Sequence, residues 1–239
     1  PVQEYEDIVM ETATMPAKDY VRCLHLAWAT QAFHALGLLQ VIAIFTKQLN
    51  GVQYTTFYER LLEYAEQNPN TVLGKEYLVI KEKINQSITK GKSWANIVPE
   101  FNNQTWSLEE ASYLRIMLKL RTFYAEVDGF LNYLEKTEGF VLEPKILTDL
   151  LKYQKAIMVK YENGKTEEFQ VGCAINSFHK SILIGKNEKL QYGTYRVTIA
   201  DPYNFRGDKN RYATEILFWG RRGGKTFHQA CQEIPIVAT

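Results

Sequence analysis

The amino-acid sequence predicts an α+β fold, a mainly helical N-terminal bundle followed by a small α+β unit with a β-hairpin. Residues 16–155 carry apolar side chains at helical spacing between helix caps and helix breakers. Beyond residue 155 the spacing changes to strand alternation on both sides of Asn163 and Gly164, a pair typical of tight hairpin turns. We therefore expect a helical bundle over residues 1–155 and a small α+β unit over residues 156–239, packed as one globular body.

Most helices predicted in the bundle have a start or stop signal. Pro16 suits the first turn of a helix, and Gly37 divides the apolar stretch that follows into two helical pieces. Ser107 and Glu110 form a capping box, in which each side chain can accept a hydrogen bond from the other residue's backbone N–H. The predicted helices cover residues 16–36, 38–50, 56–67, 72–89, 107–136 and 144–154. Between the fourth and fifth, residues 93–105 are predicted to form a loop anchored by Trp94 and Trp106.

The C-terminal unit mixes strands and helices. Its predicted elements are a hairpin over residues 156–161 and 166–171, a short helix over 174–182 and a strand over 192–199. Residues 209–219 fit either a helix or a strand. We favour a helix because Tyr212, Ile216 and Trp219 share one helical face.

The amino-acid composition indicates a folded protein and limits the kinds of partner that it can bind. The hydrophobic fraction of 46% is typical of folded chains, and the formal net charge of +1 argues against a nucleic-acid binder, which usually carries a strong basic excess. Cys23, Cys173 and Cys231 lie far apart, which suggests reduced thiols in a cytoplasmic protein rather than a disulfide framework. No basic stretch followed by an apolar core opens the chain, so we expect no signal peptide.

Residues 27–45 form a stretch of nineteen residues without a formal charge, close to the length of a membrane-spanning helix. The stretch nevertheless contains Gln31, His34 and Gln40, which are costly to place in hydrocarbon, and Gly37 interrupts it. We therefore predict a buried helix pair and no membrane span.

The sequence contains no complete catalytic or metal-binding set. Gly224, Lys225 and Thr226 resemble the end of a phosphate-binding loop, but Trp219 occupies the position of that loop's first glycine. The four histidines form no pair at metal-ligand spacing, and no Ser- or Cys-based nucleophile motif is present. We therefore predict no catalytic residue, no metal ligand and no cofactor in this chain. A self-contained enzyme of unrecognised type is the alternative.

Two groups of residues are candidates for contact with a ligand or a partner. Gln31 and His34 lie one helical turn apart beside apolar residues, so they can present hydrogen-bonding groups together. Near the C-terminus, Trp219 offers an aromatic anchor, and three cations follow that can bind a carboxylate, a phosphate or another chain: Arg221, Arg222 and Lys225. Ordinary surface or core packing is the simpler alternative for all six residues.

Basic residues are concentrated towards the C-terminus. Residues 180–225 contain ten Lys or Arg against four Asp or Glu. A solvated basic face explains this pattern without any ligand. The alternative function is a free-standing interaction module that binds an anionic ligand or an acidic partner through this basic region.

Several stretches, in their order and spacing, resemble one known family. They are residues 5–9 (YEDIV) with 11–15 (ETATM) and Asp19, residues 31–40 (QAFHALGLLQ), residues 57–64 (FYERLLEY) and residues 218–225 (FWGRRGGK). Together they are similar to the C-terminal region of cobalamin-dependent radical SAM enzymes. The resemblance extends over nearly the whole chain.

The resemblance implies a parent enzyme with a cobalamin-binding domain, a radical SAM barrel and a C-terminal region. Such a parent would use a [4Fe–4S] cluster, S-adenosylmethionine and cobalamin, and a methyltransferase is one candidate activity. The family's cluster loop has the pattern CxxxCxxC, which this chain lacks, so the chain corresponds to the third part alone. The implied role is an accessory domain, not catalytic by itself, that packs on the barrel and contributes to recognition of a small-molecule substrate. Its partners would be the radical SAM and cobalamin-binding domains.

Overall fold

The computed structural model describes residues 7–162, 166–186, 188–200, 203–221 and 230–236. Over these residues the chain has an α+β fold with a helical N-terminal part, which confirms the predicted fold class. The helices are α1 (Ala17–Ala29), α2 (Gln40–Asn50), α3 (Tyr54–Gln67), α4 (Val72–Lys90), α5 (Leu108–Met117), α6 (Leu120–Glu138), α7 (Pro144–Ile157), α8 (Ile175–Leu183) and α9 (Lys209–Tyr212). Two stretches have π-helical geometry, which we call the first π-segment (Thr30–Ala35) and the second π-segment (Ala213–Arg221).

The strands form two antiparallel sheets within the described part of the chain. One is a hairpin of β1 and β2; the other places β4 between β3 and β5. Helix α8 connects β3 to β4, so these neighbouring strands are not joined by a tight turn. The strand bounds are β1 (Asn96–Val98), β2 (Asn102–Trp106), β3 (Glu167–Cys173), β4 (Tyr192–Ala200) and β5 (Ala230–Pro235).

Helix α2 lies between two hydrophobic cores. Ile42 and Ala43 pack in the larger core, which the bundle helices share with the second π-segment. Ile44 and Phe45 pack in the smaller core, against α7, α8 and the inner face of the three-stranded sheet. A helix that is buried on all sides needs apolar residues all round. This burial explains why α2 contains a long stretch without acidic residues.

The chain bends sharply between the first π-segment and α2. Residues Ala17–Ala35 and Gln40–Asn50 meet at an angle of 96°, and Gly37 adopts a positive φ of 84°, which glycine tolerates without steric cost. The fully buried Gln154 of α7 holds this bend from inside the protein. Its Oε1 accepts a hydrogen bond from the Val41 N–H at 2.9 Å, and its Nε2 donates to the Gly37 carbonyl at 2.7 Å.

No single helix among the described residues is long and apolar enough to cross a membrane. Within the described part of the chain, one bent pair of helical segments, Ala17–Ala35 and Gln40–Asn50, is together long and apolar enough, judged by length and composition alone. Much of this pair is buried within the fold, as the sequence predicted for residues 27–45.

The hairpin predicted across Asn163 and Gly164 is wrong in its first strand. Ala156 and Ile157 are the last residues of α7, and both are buried. The second predicted strand does form, as β3, but it pairs with β4: Phe169 lies opposite Val197. Packing of the end of α7 into the core therefore outweighs the local sequence pattern that predicted a strand at residues 156–161. Asn163 and Gly164 lie outside the described residues.

Residues 93–105, predicted as a loop, contain β1 and most of β2. The predicted anchor Trp106 is buried, at 1% exposure, and Trp94 packs partly buried against the larger core. The register of the hairpin shifts between Ile97 and Val98, and Asn102, Asn103 and Gln104 break the apolar alternation that would have marked a strand.

The long helix predicted over residues 107–136 is interrupted at Leu118 and Lys119, where α5 ends and α6 begins. Neither glycine nor proline marks this break in the sequence. Met117 and Leu120, on its two sides, are both buried in the larger core, so the packing continues across the break. The predicted start is confirmed, since the Glu110 carboxylate accepts a hydrogen bond from the Ser107 backbone N–H at 3.2 Å.

Replacing Gln154 with methionine is expected to destabilise the fold. Methionine fills a similar volume but leaves the Val41 N–H and the Gly37 carbonyl buried without this partner. Each unsatisfied buried group costs about 1–3 kcal/mol, so we expect the free energy of unfolding to fall by about 2–5 kcal/mol in urea denaturation.

The matched control is Gln48→Met, at an exposed position of α2. A surface change of this kind is expected to alter stability by at most about 0.5 kcal/mol. Equal losses in the two variants would show that Gln154 does not hold the bend.

Candidate functional site

The predicted contact residues that the structure describes all lie on the two π-segments. Gln31 and His34 belong to the first, and Trp219 and Arg221 belong to the second. π-Helical geometry is rare and occurs often at functional sites, because the wider turn redirects side chains. The fold brings the two segments together although they are about 180 residues apart in the sequence. We call these four residues the π-segment site.

Arg221 joins the two segments. Its Nη2 donates to the Gln31 Oε1 at 2.7 Å, and its Nη1 lies 3.1 Å from the Glu109 Oε1. The Glu110 Oε1 is 3.5 Å from the same Nη1. Glu110 is buried, so its carboxylate requires compensation by a cation or hydrogen bonds. The guanidinium of Arg221 therefore ties the C-terminal π-segment to the start of α5, and an anionic ligand would compete with these carboxylates.

His34 faces two tyrosines of α3. Its Nδ1 lies 2.9 Å from the Tyr58 Oη, and its ring meets that of Tyr54 edge-on at a centroid distance of 5.1 Å. Burial lowers the pKa of His34 below its usual 6.5 and raises the pKa of Tyr58 well above 10. Both groups are therefore neutral at pH 7. The His34 Nε2 forms no hydrogen bond with any residue that the structure describes, so it is left for a ligand or water.

Trp219 is unusually exposed for its size. Its side chain is 64% exposed, and its ring meets Phe218 edge-on at a centroid distance of 4.9 Å. Phe218 is partly buried against the larger core, so the aromatic pair connects the interior to the surface. A large exposed aromatic side chain beside a fixed polar cluster is typical of a contact surface.

Arg222 and Lys225, the other two predicted contact residues, lie outside the described residues. Several cations of the basic region are engaged within the described part of the chain. Arg211 is ion-paired with Glu215 at 2.6 Å, and Arg196 lies 3.6 Å from Glu168. These pairs offset part of the positive charge that the sequence concentrates between residues 180 and 225.

The cysteines do not form a ligand set for a metal cluster. Cys23 is exposed, whereas burial raises the pKa of Cys173 to about 12 and that of Cys231 to about 11, so both thiols are protonated at neutral pH. Over the described residues, no group of three or more His, Cys, Asp or Glu side chains is placed to hold a metal ion.

The sequence singled out the four residues of the π-segment site as candidate contacts, but not the residues that position them. Glu109 and Tyr58 contact Arg221 and His34, respectively, across sequence separations of 112 and 24. Glu109 stands beside the capping residue Glu110, and the capping motif explains both acids without any partner. No local pattern marks Tyr58, since it lies on the buried face of an ordinary amphipathic helix.

No protein-family model matches the chain. In an alignment that covers 68% of the chain, it is 28% identical to TokK, a cobalamin-dependent radical SAM methyltransferase of Streptomyces tokunonensis. Over 70% of the chain it is 26% identical to the 2-(S-pantetheinyl)-carbapenam-3-carboxylate methyltransferase of Streptantibioticus cattleyicolor. The chain spans about a quarter of the length of these relatives, 26% in each case. The resemblance to cobalamin-dependent radical SAM enzymes is therefore confirmed at the level of sequence similarity.

Lowering the pH is expected to destabilise the fold through its buried histidines. Burial lowers the pKa of His25 and of His34 below 6.5, so the unfolded chain binds protons at a higher pH than the folded chain. The stability from the neutral rings is fully present above the unfolded-state pKa and is lost as the pH falls through the folded-state values. We expect the free energy of unfolding, from urea titrations, to decrease between about pH 7 and about pH 5.5.

The variants His25→Gln and His34→Gln should each remove part of this pH dependence, because glutamine does not titrate. The double variant should show the flattest profile over that range. A double variant whose stability falls as steeply as that of the unchanged chain would contradict this explanation.

Proposed function

We propose that this chain is an accessory domain of a cobalamin-dependent radical SAM enzyme, that it packs on the radical SAM barrel, and that it contributes to recognition of a small-molecule substrate without being catalytic alone. The sequence similarity to TokK over a quarter of that enzyme's length supports the parentage. In this proposal the [4Fe–4S] cluster, S-adenosylmethionine and cobalamin are bound by the radical SAM and cobalamin-binding domains, which are the partners of this chain.

The observation that carries the proposed role is the exposure of Trp219 beside a polar cluster that the fold holds in place. A side chain exposed by 64% stabilises the isolated domain little, because most of its apolar surface stays in water. The Arg221 bridge to Gln31 nevertheless fixes the segment that presents it. A fixed aromatic side chain loses little conformational entropy on binding, and this property is characteristic of residues that dominate an interface.

Gln31 and His34 are proposed to contribute hydrogen bonds on the same surface. Gln31 is exposed, and its Oε1 is held by Arg221, which leaves its Nε2 as the donor for a ligand. The Nε2 of the neutral His34 donates or accepts according to its tautomer. These are neutral groups, suited to hydrogen bonds with the polar groups of a small molecule.

Replacing Trp219 with alanine is expected to weaken association with the rest of the proposed enzyme. The 239-residue chain and the separately expressed radical SAM and cobalamin-binding portion are mixed, and binding is measured by isothermal titration calorimetry. Loss of a central interface tryptophan costs about 2 kcal/mol or more, roughly a thirtyfold increase in Kd.

Tyr192→Ala is the matched control, because Tyr192 is an aromatic residue with 65% exposure on β4 and is absent from the π-segment site. It should leave the Kd within about threefold of the unchanged value. Absence of any association at high micromolar concentration would contradict packing on the barrel. An equal change of Kd in the two variants would contradict a specific contribution of Trp219 to the interface.

A further inference from the structure

A separate cleft opens where α5 ends and α6 begins. It has a volume of about 420 Å³ and is bordered by residues 117–122, by Lys155 near the end of α7, by residues 160–162 and by Glu167 of β3. This volume falls within the range of small-molecule binding sites, about 300–1,000 Å³. We call it the α5–α6 cleft.

The lining of this cleft contains more cations than carboxylates. Four basic side chains reach it, while its carboxylates are those of Glu162 and Glu167, of which Glu167 is ion-paired with the cleft's own Lys160. The side chains of the other three basic residues form no hydrogen bond or ion pair with any residue that the structure describes: Lys119, Arg121 and Lys155. Three unpaired cations therefore line one concave surface: Arg121 comes from α6, Lys155 from α7 and Lys119 from the turn between α5 and α6.

Two further features make the potential in the cleft more positive. Helix α6 begins there with no acidic residue in its first turn and no side-chain cap, so the positive end of its dipole is not offset. Tyr161, which also lines the cleft, has the Nζ of Lys209 over its ring at 5.4 Å from the centroid. Like charges gathered in a concave surface raise the local concentration of counter-ions of the opposite sign.

The α5–α6 cleft is distinct from the π-segment site. Glu109, which contacts Arg221, is in the first turn of α5, whereas Met117 at the other end of α5 lines the cleft. A helix of ten residues is about 15 Å long, so the two surfaces lie at opposite ends of α5.

We propose that the α5–α6 cleft binds a small molecule through a phosphate or carboxylate group. Arg121 supplies a planar fork of donors that can bind either group with two hydrogen bonds, and Lys119 and Lys155 supply point charges. The cations stay unpaired because the ligand, rather than a protein carboxylate, neutralises them. This inference does not depend on the proposed function, since it needs neither the barrel nor its cofactors.

The test is isothermal titration calorimetry of the 239-residue chain with sodium pyrophosphate and, separately, with sodium succinate. We expect saturable binding of at least one of the two anions, weakened by added sodium chloride. The double variant Lys119→Gln, Arg121→Gln should lose about tenfold or more in affinity, because two charge-assisted contacts are removed. Binding of pyrophosphate alone identifies a phosphate site, and binding of succinate alone identifies a carboxylate site.

The matched control is the double variant Lys136→Gln, Lys152→Gln. Both lysines are exposed, Lys136 on α6 and Lys152 on α7, but neither lines the cleft. It has the same net charge as the test variant, and circular dichroism melting should show that both variants fold. The proposal is overturned if neither anion binds saturably at millimolar concentration, if the test variant binds as well as the unchanged chain, or if the control loses as much affinity.

Discussion

The hydrogen bonds of Gln154 underlie the arrangement of the helical part. A sharp bend leaves backbone groups without helical partners, and burying them unpaired would cost several kcal/mol. Gln154 pairs with the Gly37 carbonyl and the Val41 N–H, and Tyr124 donates to the Leu38 carbonyl at 2.9 Å. With these groups satisfied, α2 can turn away from α1 and enter the space between two cores. The position of the first π-segment, and thus of Gln31 and His34, follows from this bend.

A second set of polar contacts holds the second π-segment against the helical bundle. The buried Tyr212, just before the second π-segment, shares a hydrogen bond of 2.8 Å with Tyr113 of α5 and donates to the Val159 carbonyl at 2.9 Å. Arg221, nine residues later, reaches Gln31 and Glu109. The second π-segment is thus held at both ends against the bundle. Trp219 lies between these two fixed points and is exposed. The internal hydrogen bonds therefore position a side chain that is not part of the hydrophobic core.

Local signals in the sequence were sufficient where the governing interactions are local. The apolar periodicity of residues 56–67 and 72–89 predicts two helices that the structure contains as α3 and α4, and the Ser107–Glu110 motif marks the start of α5. Local signals failed where tertiary packing competes with them. Burial of Ala156 and Ile157 extends α7 into the first predicted hairpin strand, and α5 and α6 are separate helices although no glycine or proline marks the break. For the candidate site, residue types singled out Gln31, His34, Trp219 and Arg221, but not their contacts.

The sequence by itself determined the fold class, most helix positions and the relation to cobalamin-dependent radical SAM enzymes. It also supplied the candidate contact residues. Periodicity, caps and residue chemistry are properties of short segments, so they can be recognised without the tertiary structure. The tertiary structure decided which of these residues meet. The bond from Arg221 to Gln31 spans 190 positions, and the cations of the α5–α6 cleft come from separate helices. Such contacts depend on how elements pack, and packing energy is shared among many weak interactions that no single segment encodes.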